Sequence, residues 1–223
     1  MHWWDVPEFS QDRPLQSPGL SPTSLELEHA KEVADWEEVA FETIHLPDIF
    51  AGAGSSLMKD QDVEIIGNYQ ELAARFGSQP TVVPNRNMNF ISMMTTYALT
   101  HDVGHIYLGA HAGDAAAYHY PDCRPAFTGA MAAAIEIATE GAVLLEAPFN
   151  YMSKGEIVSK AAELQSPLQL TMSCYNGQEP ACGKCATCIE RLHAFEEAGY
   201  QDPIRYVNNV QLTDHSKFPL SLH

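Results

Sequence analysis

The stretch His105-Ile106-Tyr107-Leu108-Gly109-Ala110 reads as a buried strand that ends in a glycine-containing loop. Pro125 to Thr139 is alanine-rich and reads as a helix, and Val143-Leu144-Leu145 reads as a further strand. Ser153 to Leu164 reads as the next helix, with Ser153 as N-cap and Glu156 three residues later. This alternation predicts an α/β protein, a parallel sheet with helices on both faces. Ligands of such sheets sit at the carboxyl ends of the strands. The loops after Val83, Ala110 and Leu145 are therefore expected to share one face.

Upstream, residues 1–22 are rich in Pro, Ser, Gln and Asp and read as an irregular arm. Thr23 with Glu26 makes a capping box, with Pro22 just outside. Leu27, Ala30, Val33 and Ala34 then share one helical face to about Trp36. Val39 to Leu46 reads as a short strand, Pro47 to Asp60 as a loop, and Asn68 to Phe76 as a helix. Thr81-Val82-Val83 leads into the loop Pro84-Asn85-Arg86-Asn87, and a helix follows from about Met88 to Thr100. Downstream, Cys188 to Ala198 reads as a last helix, stopped at Gly199. The expected organisation is an arm (1–22), an α/β nucleotide- and substrate-binding domain (23–165), a metal-binding subdomain (166–205) and a tail (206–223).

With 223 residues, 45% of them hydrophobic, the chain can bury a sizeable core. A formal charge of -17 repels phosphate backbones and anionic lipids, so neither nucleic acid nor membrane is expected as a bulk partner. No apolar run is long enough to span a bilayer, and Met1-His2-Trp3-Trp4-Asp5 does not open a signal peptide. The expected location is the cytoplasm, where clustered cysteines point to metal before disulfides.

The cysteines run Cys174-x7-Cys182-x2-Cys185-x2-Cys188. Four thiolates complete a tetrahedral zinc shell, and each Cys-x2-Cys step lets a tight turn aim two sulfurs at one metal. Gly183 is free to take a positive φ. Lys184 favours ionised thiolates. No ligand position stays open, which favours a structural role. An iron–sulfur cluster also uses four cysteines and is the rival reading. Cys123 stands apart and reads as a small buried residue.

Ser173-Cys174-Tyr175-Asn176-Gly177, followed by Cys182-Gly183-Lys184-Cys185 and Cys188, resembles the carboxyl-terminal zinc motif of the 7-cyano-7-deazaguanine synthases. Three further pieces resemble that family in the same order. They are Val83-Pro84-Asn85-Arg86-Asn87; Gly109-Ala110-His111-Ala112-Gly113-Asp114, leading to Tyr120-Pro121-Asp122-Cys123; and Pro148 with Lys154-Gly155-Glu156-Ile157-Val158. The resemblance covers about residues 25–205. It implies an ATP pyrophosphatase of the adenine-nucleotide α-hydrolase fold that turns 7-carboxy-7-deazaguanine, ammonia and ATP into the nitrile. The implied route is an adenylated carboxylate, then an amide, then dehydration, for queuosine or for DNA modification. It also implies structural zinc, ATP with Mg2+, and a homodimer.

Each residue of these motifs has a physical reading of its own. Arg86 can hold a phosphate or carboxylate bidentately, or make a surface ion pair. Asn85 and Asn87 can read a heterocycle edge or simply shape a turn. Asp114 and Asp122 can meet the amidine-like edge of a deazaguanine or hold magnesium. Their plainer uses are loop solvation and helix capping. Lys154 can approach a pyrophosphate or stay solvated. Gly109 belongs to the loop after the strand. His101, His105, His111 and His119 make no convincing ligand pattern, and no catalytic residue is assigned.

The family opens on a strand and a pyrophosphate loop, Ser-Gly-Gly-x-Asp-Ser, whose backbone N–H groups wrap phosphate. No such string occurs in this sequence; Ser17-Pro18-Gly19-Leu20-Ser21 lacks the paired glycines and the aspartate. The expectation is a fold without its first strand, loop and helix. Three functional readings follow: a ligase of the deazaguanine nitrile pathway, a non-catalytic or partner-dependent deazapurine-binding zinc protein, and a zinc-dependent interaction module. Retention of the Arg86 and Asp122 motifs argues against the third.

Overall fold

A computed structural model describes residues 22–44, 50, 53–56, 66–77, 79–115 and 120–207. Most of the expected arm and tail, Leu46, much of the 47–60 loop and His119 lie outside the described residues.

Among the described residues the sheet is built from β1 (His105–Tyr107) and β2 (Leu144–Glu146). They pair in parallel, His105 opposite Leu144 and Tyr107 opposite Glu146. The long helix expected between them is α5 (Pro125–Ala138), so the connection is the crossover that parallel strands require. β1 is shorter than the run His105–Ala110 that announced it, and β2 is as long as Val143-Leu144-Leu145 but shifted one residue onward. Leu108 still continues the ladder with an N–H donated to Glu146 O at 2.8 Å. On the open side His105 Nδ1 donates to Glu146 Oε1 at 2.7 Å.

Helix α3 (Arg86–Thr100) packs Ile91, Met94 and Ala98 into one core with Ile106 of β1, Ile135 of α5 and Val143. It starts two residues before the expected Met88, which puts Arg86 and Asn87 in its first turn. Asn85 precedes it in the left-handed region, φ 59°, where asparagine is tolerated better than most residues.

Helix α1 (Pro22–Trp36) begins one residue before the expected cap, with Pro22 inside the first turn, where its missing N–H costs nothing. It lies against the 3₁₀ turn Leu168–Leu170, and His29 Nδ1 donates to Leu170 O at 2.9 Å. The strand expected from Val39 to Leu46 is corrected: the described part, 39–44, is irregular. Alternating apolar residues make a strand only when a neighbouring ladder satisfies their backbone groups, and among the described residues, 39–44 join no ladder.

Helix α2 (Tyr69–Phe76) is closed at its start by a reciprocal capping box between Asn68 and Glu71. A four-residue helix, α4 (Ala112–Ala115), follows β1 and was not expected from the sequence. Helix α6 (Lys154–Glu163) carries the Ser153–Glu156 capping box foreseen for it. Helix α7 (Ala186–Ala198) ends at Gly199 with φ 76°, the left-handed stop that glycine supplies. It starts at Ala186, two residues before Cys188. Helices α6 and α7 pack through Val158, Ala194 and Phe195. Gly155 permits their approach, because a Cβ there would run into the Glu197 carboxyl.

Candidate active site and metal centre

The four cysteines of the expected metal shell converge. Their sulfurs all lie within 4.8 Å of one another and every one is buried. A tetrahedron with Zn–S bonds of about 2.3 Å has sulfur edges of roughly 3.8 Å. Cys182 Sγ and Cys188 Sγ are 3.8 Å apart. Backbone N–H groups already point at sulfur, Cys185 N to Cys182 Sγ at 3.3 Å and Cys182 N to Cys174 Sγ at 3.4 Å. Gly183 takes φ 69°, the turn the Cys-x2-Cys step needs. The donor set therefore fits a metal such as zinc. Hydrogen bonds from Cys174, Cys185 and Cys188 hold Cys182 toward the thiolate, whereas the same exchange with Cys174 and its neighbours pushes Cys188 far up. Four crowded sulfurs thus share protons that a dication would displace.

This centre is part of the core. Leu72 of α2, Leu192 of α7 and Tyr206 pack against the cysteines. Gly67 N donates to Lys184 O at 3.0 Å, tying the start of α2 to the knuckle. Arg191 forks onto Asp202, with Nε to Oδ2 at 2.7 Å and Nη2 to Oδ1 at 3.0 Å.

The residue after the first ligand, Tyr175, reaches out of the metal loop. Its hydroxyl is 3.0 Å from Tyr120 OH and 3.3 Å from Tyr69 OH, and Tyr120 OH is 2.5 Å from Thr81 Oγ1. Burial is the chief reason that Tyr69, Tyr120 and Tyr175 are all held as phenols, above the usual range. Tyr120 and Tyr69 share a core cluster with Leu108 and Ala110, the residues just after β1.

Asp114 lies close enough to Lys154, Glu190 and Arg86 for their charges to bear on its carboxyl. His111 Nε2 is 3.3 Å from Asp114 Oδ2. Gly113 N donates to His111 Nδ1 at 3.1 Å, so the ring proton sits on Nε2 and faces the carboxylate. Lys154 Nζ is 2.6 Å from Glu190 Oε2. Burial raises the Asp114 carboxyl above the usual range; His111 and Lys154 oppose it, Glu190 adds to it, and Arg86 opposes it further. Burial likewise lowers the His111 imidazole, against the pull of Asp114.

Asn87 and Asp122 are brought onto each other. Asn87 N donates to Asp122 Oδ2 at 3.0 Å, and its side-chain amide donates to Asp122 O at 3.2 Å and to Cys123 Sγ at 3.3 Å. Asp122 thus caps α3, although in sequence it stands just before α5. Cys123 is buried as expected, and burial pushes its thiol up to about 12. Asn85 is exposed and serves the turn into α3. Gly109 borders open space, with nothing within 4 Å of where a Cβ would stand.

Sequence reasoning missed Glu190, His111, Tyr69, Tyr120, Tyr175 and Thr81 as site residues. Tyr175 and Tyr120 lay inside quoted motifs, and Glu190 in the first turns of a helix whose start is a metal ligand. Those were usable signals. Tyr69 and Thr81 gave none.

Fold and site together define an α/β protein with a buried four-cysteine cluster that could hold a metal. The chain belongs to the queuosine biosynthesis protein QueC family, whose model matches residues 21–199. It is a ligase of the QueC type. The 7-cyano-7-deazaguanine synthase of Methanoregula boonei is 45% identical over 155 residues, 69% of this chain and 68% of that protein. The synthase of that name from Marinobacter nauticus is 44% identical over 154 residues, 69% and 66% of the two chains. That of Hahella chejuensis is 41% identical over 184 residues, 82% and 77%. The matched segment thus spans about two thirds of the first two relatives. Among the described residues no helix is long and apolar enough to cross a membrane.

Proposed function

We propose that this protein makes 7-cyano-7-deazaguanine from 7-carboxy-7-deazaguanine, ammonia and ATP, with zinc as a structural ion in the four-cysteine shell. One observation carries the reading. Motifs far apart in sequence converge: Lys154 holds Glu190 at 2.6 Å, a Cβ on Gly113 would stand 3.1 Å from Glu190 Oε1, and Arg86 and Lys154 both bear on the buried Asp114 carboxyl. A carboxylate oxygen leaves poorly, so replacing it with nitrogen calls for activation by ATP. Arg86 and Lys154 are the cations suited to a phosphate or carboxylate. Asp122, Asn85, Asn87 and Gly109 border the deazapurine, and Asp114 stands beside them. Mg2+ accompanies the nucleotide. The cytoplasm and a homodimer complete the proposal.

The experiment incubates zinc-loaded protein with the carboxylic acid, ATP, magnesium and ammonium and follows the nitrile by mass spectrometry. ATP-dependent nitrile supports the reading. Folded protein that binds the deazapurine and never turns it over supports a second one, a deazapurine-binding zinc protein that depends on phosphate-binding residues from elsewhere. That reading is favoured by one feature: Ser-Gly-Gly-x-Asp-Ser does not occur in the 223 residues.

A further inference from the structure

Ammonia is mostly ammonium at neutral pH, and ammonium has no lone pair with which to attack a carbonyl. A ligase that uses it free from solution needs a base near the acyl carbon. Asp114 has the geometry for that task. It sits on the short helix α4 just past the carboxyl end of β1. His111 presents Nε2–H to one of its oxygens at 3.3 Å, and Gly113 N fixes the ring by donating to Nδ1 at 3.1 Å. Such an oriented histidine–carboxylate pair holds the acceptor still without taking up its proton. Asp122, the other acidic candidate, has an oxygen committed to Asn87 N at 3.0 Å.

Resting on the proposed ligase reading, we infer that Asp114 is the general base that deprotonates ammonium, with His111 and Gly113 as its positioning residues. One proton passes from ammonium to Asp114. The freed nitrogen lone pair forms the C–N bond, the C–O bond to AMP breaks, and AMP leaves with that electron pair. The second excess proton goes from nitrogen to water, leaving the amide. The groups that face Asp114 are His111 beside it, Lys154 from α6, Glu190 from α7, Arg86 from α3, and Tyr120 with Cys123 from the following turn. Burial among them keeps its proton affinity above that of an ordinary carboxylate, as a base working near neutrality requires.

The test compares two nucleophiles in the wild-type protein and in Asp114→Asn. Hydroxylamine is already neutral at neutral pH and needs no base, so it traps the activated carboxylate as a hydroxamate. The expected result is an amide and nitrile rate with ammonium that falls on the order of 100-fold or more, with hydroxamate formation and deazapurine binding within about twofold of wild type, as a lost base alone requires. Asp114→Ser, read in the same assays, covers the case in which the asparagine variant does not fold. Loss of hydroxamate or of deazapurine binding would place Asp114 in substrate or nucleotide binding and overturn the inference. So would an unchanged ammonium rate. Wild-type protein that yields neither product defeats the ligase reading itself, an outcome distinct from a working wild type with an indifferent Asp114.

Discussion

The Tyr175 hydroxyl stands 3.0 Å from the Tyr120 hydroxyl. That contact fastens the loop of the first metal ligand, Cys174, to the turn that carries Asp122. The four-cysteine cluster is thereby joined to the segment around Asp122, although the two are separated by about a third of the matched sequence. The hydroxyl series continues to Thr81 and Tyr69, so four segments of chain meet through side-chain oxygens.

Tyr175→Phe should therefore leave metal content unchanged and cost about 1 kcal/mol of stability, the net worth of a buried hydrogen bond. Deazapurine affinity should fall about fivefold, the equivalent of about 1 kcal/mol. Metal analysis, thermal melting and calorimetric binding on the same preparation separate the effects. Loss of metal would mean that the hydroxyl serves the knuckle and not the site.

Cys185→Ser should release the metal and lower stability well beyond the roughly 1 kcal/mol of a typical substitution, because binding the ion is linked to folding. Leu72, Leu192 and Tyr206 pack on these sulfurs, so loosening should spread into α2 and α7. Chelation of the wild-type protein should reproduce the same melting profile. A variant that keeps one equivalent of zinc and melts as wild type would remove the structural role.

Much of this was legible in the sequence, and the pattern of what was not is physical. Helix ends were readable where a side chain or a glycine closes them locally, as Ser153 with Glu156 and Gly199 do. The metal shell was readable because Cys-x2-Cys turns are local as well. The failed strand at 39–44 depended on a partner that periodicity does not reveal. His111 was noted and left unassigned, and the one hint for Glu190 was its place near the cysteines. Neither is unusual in its own segment, and their meaning arises only when α7 lays Glu190 against the loop after β1. Asp122 shows a mixture: its capping role was foreseen, but the helix it caps, α3, is distant in sequence.

Gly113 offers a direct probe of that convergence. A Cβ at this position would lie 3.1 Å from Glu190 Oε1 and 3.0 Å from His111 Cε1. Gly113→Ala should cost about 1–3 kcal/mol through overpacking. Because Glu190 supplies one of the two obstacles, the cost should shrink in a Glu190→Ala background by roughly 0.5 kcal/mol or more, a coupling expected of contacting residues. Strictly additive melting data from the four proteins would show that the two residues do not meet.

Asp114 makes a prediction with a sign. Its carboxyl is raised in the folded state, chiefly by burial. A group shifted this way contributes stability that is fully present below its unfolded pKa, about 3.9, and is lost as pH rises through the higher folded value. Asp114→Asn removes that loss. The variant should melt with wild type at low pH and above it at neutral pH, the gap opening as pH rises through the carboxyl's folded range. A gap that closes with rising pH would reverse the sign and show that Lys154 and Arg86 outweigh burial.

Arg191 and Asp202 carry the last prediction. Their side chains are 8% and 2% exposed, and they are joined by a two-pronged contact. Arg191 Nη1 also donates to Thr171 Oγ1 at 2.7 Å, while Asp202 accepts Tyr206 OH at 2.6 Å. Tyr206 in turn packs on the cysteines, so this pair locks the segment beyond α7 over the metal centre. Removing one partner leaves the other charge buried alone, which costs about 3–5 kcal/mol, whereas replacing both with apolar residues of similar size is often nearly neutral. Asp202→Ala should therefore destabilise the protein by that amount, and Arg191→Met with Asp202→Leu should recover much of it. If the double variant is worse than the single one, the hydrogen bonds to Thr171 and Tyr206, and not the charge pair, hold this segment in place.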